Sequence, residues 1–479
     1  MRDGSEIMVT ADKLRTPGDH RKLWIAVGVS LSAAIAFYFS TKATLHDLDY
    51  TSQIASALLH GQLGLREKPP DWLNEMIPRG DRYYSAFPLG AVLSMVPVAL
   101  LRNTGLIQSF PGQILAAMIA GLCVYFFFQL AKAFEGNWND SSPIRPLALS
   151  PFRRVLLALF PIFGSWTWCN LGFGGAWQIA LGLALLGQAA ALYFTLARPR
   201  ATAACPAEVL REGGSSGGGG SPLVAGAFFA LAFGNRTELL ITLPLYLYLF
   251  WHHPNGKGQG ATVSHSTPVA PGEGGIPPQA AKTSGRRKLK RALQENTSML
   301  IRFLSVPATL ALLTAAYNFA RFHSIFDFGY IHIPEVAQEP WYQHGLFSIQ
   351  AIPWNIYTML FQGFESIDYF PYIQPNGFGC SIFLASPFLC LLFRQGGRYK
   401  GVAWVAIAVL TLVLWLHGNP GSWQFSYRYA MILLPWMFLL LAGNGPANIS
   451  VPEISLFAVS VAINAIATWQ FLWTEQIQP

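Results

Sequence analysis

Charge is what this sequence has least of. Asp, Glu, Lys and Arg make up only 12% of its 479 residues, about half the share usual in a soluble globular chain. Cysteine is sparse too. Of the five, Cys123, Cys169, Cys380 and Cys390 sit in or beside apolar runs and Cys205 lies in a polar stretch. They have neither metal-ligand spacing nor the pattern of a disulfide framework, which excludes a zinc module and a stapled secreted domain. No internal repeat is visible, which argues against the inverted-repeat plan of many transporters. The glycines of NLGFGGAWQ at 170–178 follow no strand, so they are not a dinucleotide fingerprint. No cleavage site follows the first apolar run, so that run reads as an uncleaved first helix rather than a signal peptide.

What is present is apolar. The hydrophobic share is 52% and the mean hydropathy +0.35. The runs are long and do not alternate, which predicts an all-α polytopic membrane protein rather than a barrel. Fifteen Trp and seventeen Tyr suit interfacial belts. The net charge of +8 comes mostly from loop Lys and Arg, so it speaks to topology and not to nucleic acid.

The tail 1–22 carries Arg2, Lys13, Arg15, Arg21 and Lys22 and is expected to be cytoplasmic. A catalytic transmembrane module over 23–320 is then expected, with an outer loop at 41–111 and a disordered cytoplasmic loop at 252–298. The outer loop contains an amphipathic helix from Tyr50 to Leu65 that lies along the bilayer surface, and a polar, structureless 69–82. The apolar stretch 87–101 is short and holds Pro88 and Pro97, so it reads as juxtamembrane or re-entrant. That choice puts the basic loops around Arg145, Arg153 and Arg154 and from Arg198 to Arg211 on the inside. Spans are expected near 23–40, 113–134, 155–169, 176–197, 223–233, 239–251, 299–319, 378–393, 402–416, 430–442 and 454–472, about eleven crossings with the C-terminus outside. An outer loop with surface helices covers 321–377, and C-terminal membrane helices cover 378–479. GGSSGGGGS at 213–221 reads as a flexible linker. RRKLKR at 286–291 reads equally as an anionic-lipid contact and as a topology signal.

Several polar residues fall at the outer boundary of this scheme. Asp47 and Asp49 stand two apart at the exit of the first span, and in an extended chain both face one cavity. Such a pair can act as a general base or seat a divalent cation; the bland alternative is a polar loop. Arg82 sits in GDRYYSAFPLG beside Tyr83 and Tyr84, and its planar fork suits phosphate, although a snorkelling belt arginine looks the same. Arg236 and Glu238 interrupt a long apolar run, where ionisable groups face a cavity or each other. Arg321 and Arg428 lie among aromatics in YNFARFHSIFDFGY and QFSYRY.

Taken in order, HDLDYTSQIASALLHGQLGL, GDRYYSAFPLGAVLSMVP, GFGGAWQ, FGNRTELLITLP, YNFARFHSIFDFGY and SYRYAMILLP give the chain a likeness. It resembles the GT-C class of polyprenyl-phosphate-sugar-dependent glycosyltransferases, which includes protein O-mannosyltransferases and aminoarabinose transferases. The resemblance implies a GT-C-like fold and an inverting sugar transfer, on the periplasmic or lumenal face, to a hydroxyl of a glycan, lipid or protein acceptor. It implies that Asp47 or Asp49 is the general base. Many relatives carry their acidic pair three to four residues before the Tyr, positions held here by His46 and Asp47. By the same likeness Arg82 and Arg236, with Tyr83 and Tyr84, hold the donor phosphate. His46, Trp177, Gln178, Glu238, Arg321 and Arg428 line the substrate cavity. The expected setting is a bacterial inner membrane. The rival reading is a transporter or flippase of lipid-linked sugars, whose charges belong nearer the bilayer midplane.

Overall fold

The computed structural model describes residues 17–42, 46–132, 134, 149–197, 221–252, 280–397, 399–421, 423–474 and 476–477. The tail before residue 17, Cys205, the loops holding Arg145 and Arg198–Arg211, the linker glycines and residues 254–279 lie outside them. The structure is 66% helical, and among the described residues the strands form two short hairpins.

The helices are α1 (Pro17–Ser40), α2 (Ser52–Leu59), α3 (Leu89–Ser94), α4 (Val96–Asn103), α5 (Gly112–Lys132), α6 (Pro151–Phe163), α7 (Thr167–Gly172), α8 (Ala176–Leu196), α9 (Pro222–Asn235), α10 (Leu243–His252), α11 (Ala280–Phe322), α12 (Ile352–Leu360), α13 (Ile382–Ala385), α14 (Lys400–Leu416), α15 (Leu434–Gly443) and α16 (Val451–Leu472). The hairpins are β1 (Ile77–Arg79) with β2 (Arg82–Tyr84) and β3 (Glu365–Ser366) with β4 (Ile373–Gln374).

Among the described residues, five helical segments are long and apolar enough to cross a membrane: Arg21–Ser40, Gly112–Lys132, Ala176–Leu196, Thr297–Phe322 and Val451–Leu472. Other expected spans are shorter or broken, and each break has a cause. The expected span at 155–169 divides into α6 and α7, with Pro161 in the last turn of α6 and Gly164 after it. The expected span at 378–393 becomes the short α13 followed by the 3-10 segment Pro387–Phe393, with Pro387 at the join. The stretch 87–101 forms α3 and α4, two short helices split at Met95 just before Pro97.

Two readings are corrected. Residues 69–82 are not structureless: β1 and β2 pair across Gly80, whose φ of 63° suits glycine, and Asp81. The disorder expected through 298 gives way at Ala280 to α11, 43 residues long, whose segment from Arg286 to Glu295 is built from Arg, Lys, Leu, Ala, Gln and Glu, all good helix formers.

The core is organised around α8, buried on nearly every side. It packs on α5 and α9; α1 covers α5, and α11 covers α9. Gln188 in the middle of α8 donates to the Ile432 carbonyl at 3.0 Å and accepts from Trp436 Nε1 at 3.0 Å. This is the kind of polar interlock that ties apolar helices together. Small residues set the closest approaches. A Cβ on Gly90 of α3 would strike the backbone of Gly234 near the end of α9, and this contact places α3 beneath the polar break at Arg236.

Candidate functional site

The two acidic residues at the exit of the first span turn in different directions. Asp49 is buried at 1% exposure. Its Oδ1 accepts from the amides of Thr51 at 3.2 Å and Ser52 at 2.7 Å, and its Oδ2 accepts from the Ser52 hydroxyl and from Arg102 Nη1 at 2.7 Å. These donors fill its acceptor capacity and start α2. Asp47 is exposed and accepts from the Phe110 amide at 3.0 Å. It lines a crevice of about 210 Å³ with Tyr38, Ser109, Gln113 and Gly174. The expected paired-acid site is therefore corrected. The chain turns at Leu48, and the Asp49 amide donates back to the Asp47 carbonyl at 2.9 Å, so the extended geometry that would align the side chains does not form. The pair does not suit a divalent cation either, because Asp49 is spent on its donors and a guanidinium already sits against it.

A second cavity, of about 380 Å³, collects the residues flagged around α9. Trp177, Asn235, Arg236, Glu238, Tyr330, His417 and Tyr429 line it, together with the apolar Ala86, Pro88, Phe328, Leu346, Phe347, Val413 and Leu414. Each wall is set by local structure. Gly174, at φ 66°, turns the chain into α8, and the Ala176 amide donates to the Leu48 carbonyl at 2.9 Å, so Trp177 points inward from the first turn. Its ring lies 4.1 Å from that of Phe87, and its Nε1 donates to the Glu75 carboxyl. At the end of α9, Asn235 donates to the Ser94 hydroxyl at 3.1 Å, and Arg236 leaves the helix with an extended backbone.

Arg236 is the central cation. Its Cζ lies 5.5 Å from the Trp177 ring centre and 5.2 Å from that of Tyr429. Its Nε and Nη2 find no acceptor among the described residues. A guanidinium carries five N–H donors, three of them on Nε and Nη2, and rarely leaves so many idle in an apolar setting. Arg428 stands behind Tyr429. It donates to the Tyr429 hydroxyl at 3.3 Å and the Trp423 carbonyl at 3.4 Å, while its Nε is likewise without an acceptor among the described residues. Acids oppose these cations. Burial raises the pKa of the Glu75 carboxyl, a shift that the Trp177 N–H bond and Arg428 oppose and Glu339 reinforces. Burial raises the pKa of the Glu339 carboxyl as well.

The remaining expected site residues do framework work. Arg82 belongs to β2 and lies 3.8 Å from the exposed Asp81. Tyr83 pairs with Leu65 through two backbone hydrogen bonds of 2.9 Å, and the Tyr84 ring packs edge-on against Phe322. His46 stacks on Trp72 with ring centres 4.6 Å apart. Gln178 is buried beside Gly175. Arg321 is 2% exposed, donates to the Ser85 carbonyl and to Asn318 Oδ1 at 2.8 Å, and lies over the Tyr317 ring at 3.7 Å. Of the expected phosphate group, the cavity keeps Arg236 and not Arg82, Tyr83 or Tyr84. Of the expected lining, it keeps Trp177 and Glu238, with Arg428 one layer behind.

Glu75, His417, Tyr330 and Tyr429 were not anticipated as site residues. His417 had one local signal, since it ends the apolar run of α14 and precedes a Gly-Asn-Pro-Gly turn. Glu75 is one of four acids between Glu67 and Asp81 and carries no pattern that singles it out. No protein-family model matches the chain, and neither the curated proteins nor the solved structures contain a match to it.

Proposed function

We propose that the chain is a membrane glycosyltransferase of GT-C type that moves a sugar from a polyprenyl-phosphate donor to an acceptor hydroxyl. On this reading the long and short apolar helices together make about eleven crossings. The N-terminus is cytoplasmic, and the chamber opens on the outer face of a bacterial inner membrane. The acceptor is a glycan, a lipid or a protein.

The observation that carries the proposal is Arg236. Two of its nitrogens, Nε and Nη2, have no acceptor among the described residues, and the side chain borders a cavity of about 380 Å³ walled largely by apolar and aromatic groups. A phosphate with a greasy tail suits both features. The phosphate oxygens take the idle donors, and the apolar wall takes the first units of the tail. In sugar transfer the bond from the anomeric carbon to the phosphate oxygen breaks, and charge grows on the leaving phosphate. Fixed donors in a water-poor site stabilise that charge more in the transition state than in the ground state. Arg428 lies behind Tyr429 and adds a second positive charge. Asp49 has no part in this step, being committed to Arg102 and the start of α2.

The test uses the full chain in lipid nanodiscs with a labelled polyprenyl-phosphate sugar. Polyprenyl phosphate should be released only when an acceptor is supplied. Arg236→Gln should weaken donor binding on the order of 10²-fold, the loss of two charge-assisted hydrogen bonds at about 1.5 kcal/mol each. Passage of the intact lipid-linked sugar across the bilayer, without cleavage, would refute transfer in favour of a flippase.

A further inference from the structure

The cavity holds a histidine whose backbone, ring and tautomer are each held in place. His417 follows α14, and the chain there is gripped from both sides. The Ser348 amide donates to the Leu416 carbonyl at 2.7 Å, the Gly418 amide to the Leu346 carbonyl at 2.9 Å, and Asn355 Nδ2 to the His417 carbonyl at 2.7 Å. The imidazole is packed edge-on by Tyr342, Phe347, Tyr330 and Tyr429, with ring centres 5.6 to 6.4 Å away.

One ring nitrogen, Nδ1, lies 2.7 Å from the Asn419 carbonyl oxygen. A carbonyl oxygen can only accept, so Nδ1 carries the proton and donates. In the neutral ring Nε2 then bears a lone pair, and His417 lines the same cavity as Arg236 and Glu238. We propose that His417 Nε2 is the proton acceptor of this chamber, a role that rests on the glycosyl-transfer reading and takes the place of the carboxylate role expected of Asp47 or Asp49. The acceptor O–H gives its proton to Nε2 as its oxygen bonds to the anomeric carbon. The anomeric C–O bond to phosphate breaks, and the electron pair leaves with the lipid phosphate toward Arg236. The imidazolium formed next to Glu238 then returns its proton to water.

The surroundings keep the ring neutral for this task. Burial lowers the pKa of His417, the Asn419 carbonyl and Glu238 oppose that shift, and Arg236 and Arg428 add to it. The other titratable groups facing the ring are the phenols of Tyr330, Tyr342 and Tyr429. The base is therefore present unprotonated at neutral pH.

Kinetic and NMR measurements on the full chain in nanodiscs test the assignment. His417→Gln should lower the transfer rate ~10²–10⁴-fold, the usual worth of a general base, with polyprenyl-phosphate affinity unchanged. The acid limb of the wild-type pH profile, lying below the ordinary histidine range, should vanish in this variant, and added imidazole should restore part of the rate to His417→Ala. Nitrogen NMR of histidine-labelled wild-type protein should show Nδ1 protonated and Nε2 bare at neutral pH, a readout that needs no variant to fold. Transfer by His417→Gln at the wild-type rate, loss of transfer in Asp47→Asn alone, or an Nε2-protonated ring would each overturn the base while leaving glycosyl transfer standing. If the wild type releases no polyprenyl phosphate with any acceptor, the transfer reading fails and the base assignment fails with it.

Discussion

Substitution of Asp49 decides whether the acid nearest the first helix serves the framework or the chemistry. Four donors converge on its carboxylate: two amides at 2.7 and 3.2 Å, the Ser52 hydroxyl, and Arg102 Nη1 at 2.7 Å. Asp49 is 1% exposed and the Arg102 side chain 29%. Removing one partner from a fully buried ion pair costs about 3–5 kcal/mol. Arg102 keeps a path to water, so the low end applies, and losing the acceptor for the first amides of α2 adds about 1 kcal/mol. Asp49→Ala should therefore destabilise by about 3–4 kcal/mol. Asp49→Asn keeps Oδ1 for the two amides and gives up one charge-assisted bond, so about 1.5–3 kcal/mol is expected. A double-mutant cycle with Arg102→Ala should return a coupling of similar size. The assay is denaturant unfolding in micelles, followed by tryptophan fluorescence, with donor turnover measured in parallel. An Asp49→Asn protein as stable as wild type but inactive would refute the framework reasoning and return Asp49 to the reaction.

Other expectations follow from the same geometry. Glu453, 1% exposed at the start of α16, accepts from Arg153 Nε, Arg394 Nη1, and the Ser450 amide and hydroxyl, each at 3.0 Å. Glu453→Gln leaves two guanidinium groups facing a neutral amide and should cost about 3–5 kcal/mol by the same unfolding assay, without changing donor affinity. Glu75 should make stability depend on pH. Its folded pKa lies above the ordinary 4.5, so its contribution is complete below that value and is lost as pH rises through the folded pKa. Glu75→Gln keeps an acceptor for Trp177 Nε1 and should remove that slope, at most about 1.4 kcal/mol per pH unit. A wild-type curve parallel to that of the variant would show that Glu75 is not held protonated.

The match between sequence and structure is uneven, and particular residues show why. The apolar runs 23–40, 113–134 and 176–197 correspond closely to α1, α5 and α8, because a long apolar stretch has only one way to satisfy its backbone away from water. Arg236 and Glu238 stood out in the sequence because ionisable groups inside an apolar run are costly unless they face a cavity, and both line the cavity of about 380 Å³. Asp47 and Asp49 were read as a pair from their spacing. That inference needed an extended backbone, and the turn at Leu48 removed it. Arg321 and Arg82 each read in sequence as an arginine among aromatics and so as a cavity candidate, yet Arg321 is consumed by the Ser85 carbonyl and Asn318, and Arg82 belongs to a surface hairpin.

From the sequence alone came the helical class, the apolar segments and the polar break at the end of α9, since these depend on hydrophobic length and on the cost of isolated charge. Only the tertiary structure decided which polar groups meet. Trp177, Arg236, Tyr330, His417 and Tyr429 come from five separate stretches of chain, and no local pattern links them. What brings them to one chamber is the close packing of α3 on α9 at Gly90 and Gly234, together with the grip of Leu346 and Ser348 on the end of α14.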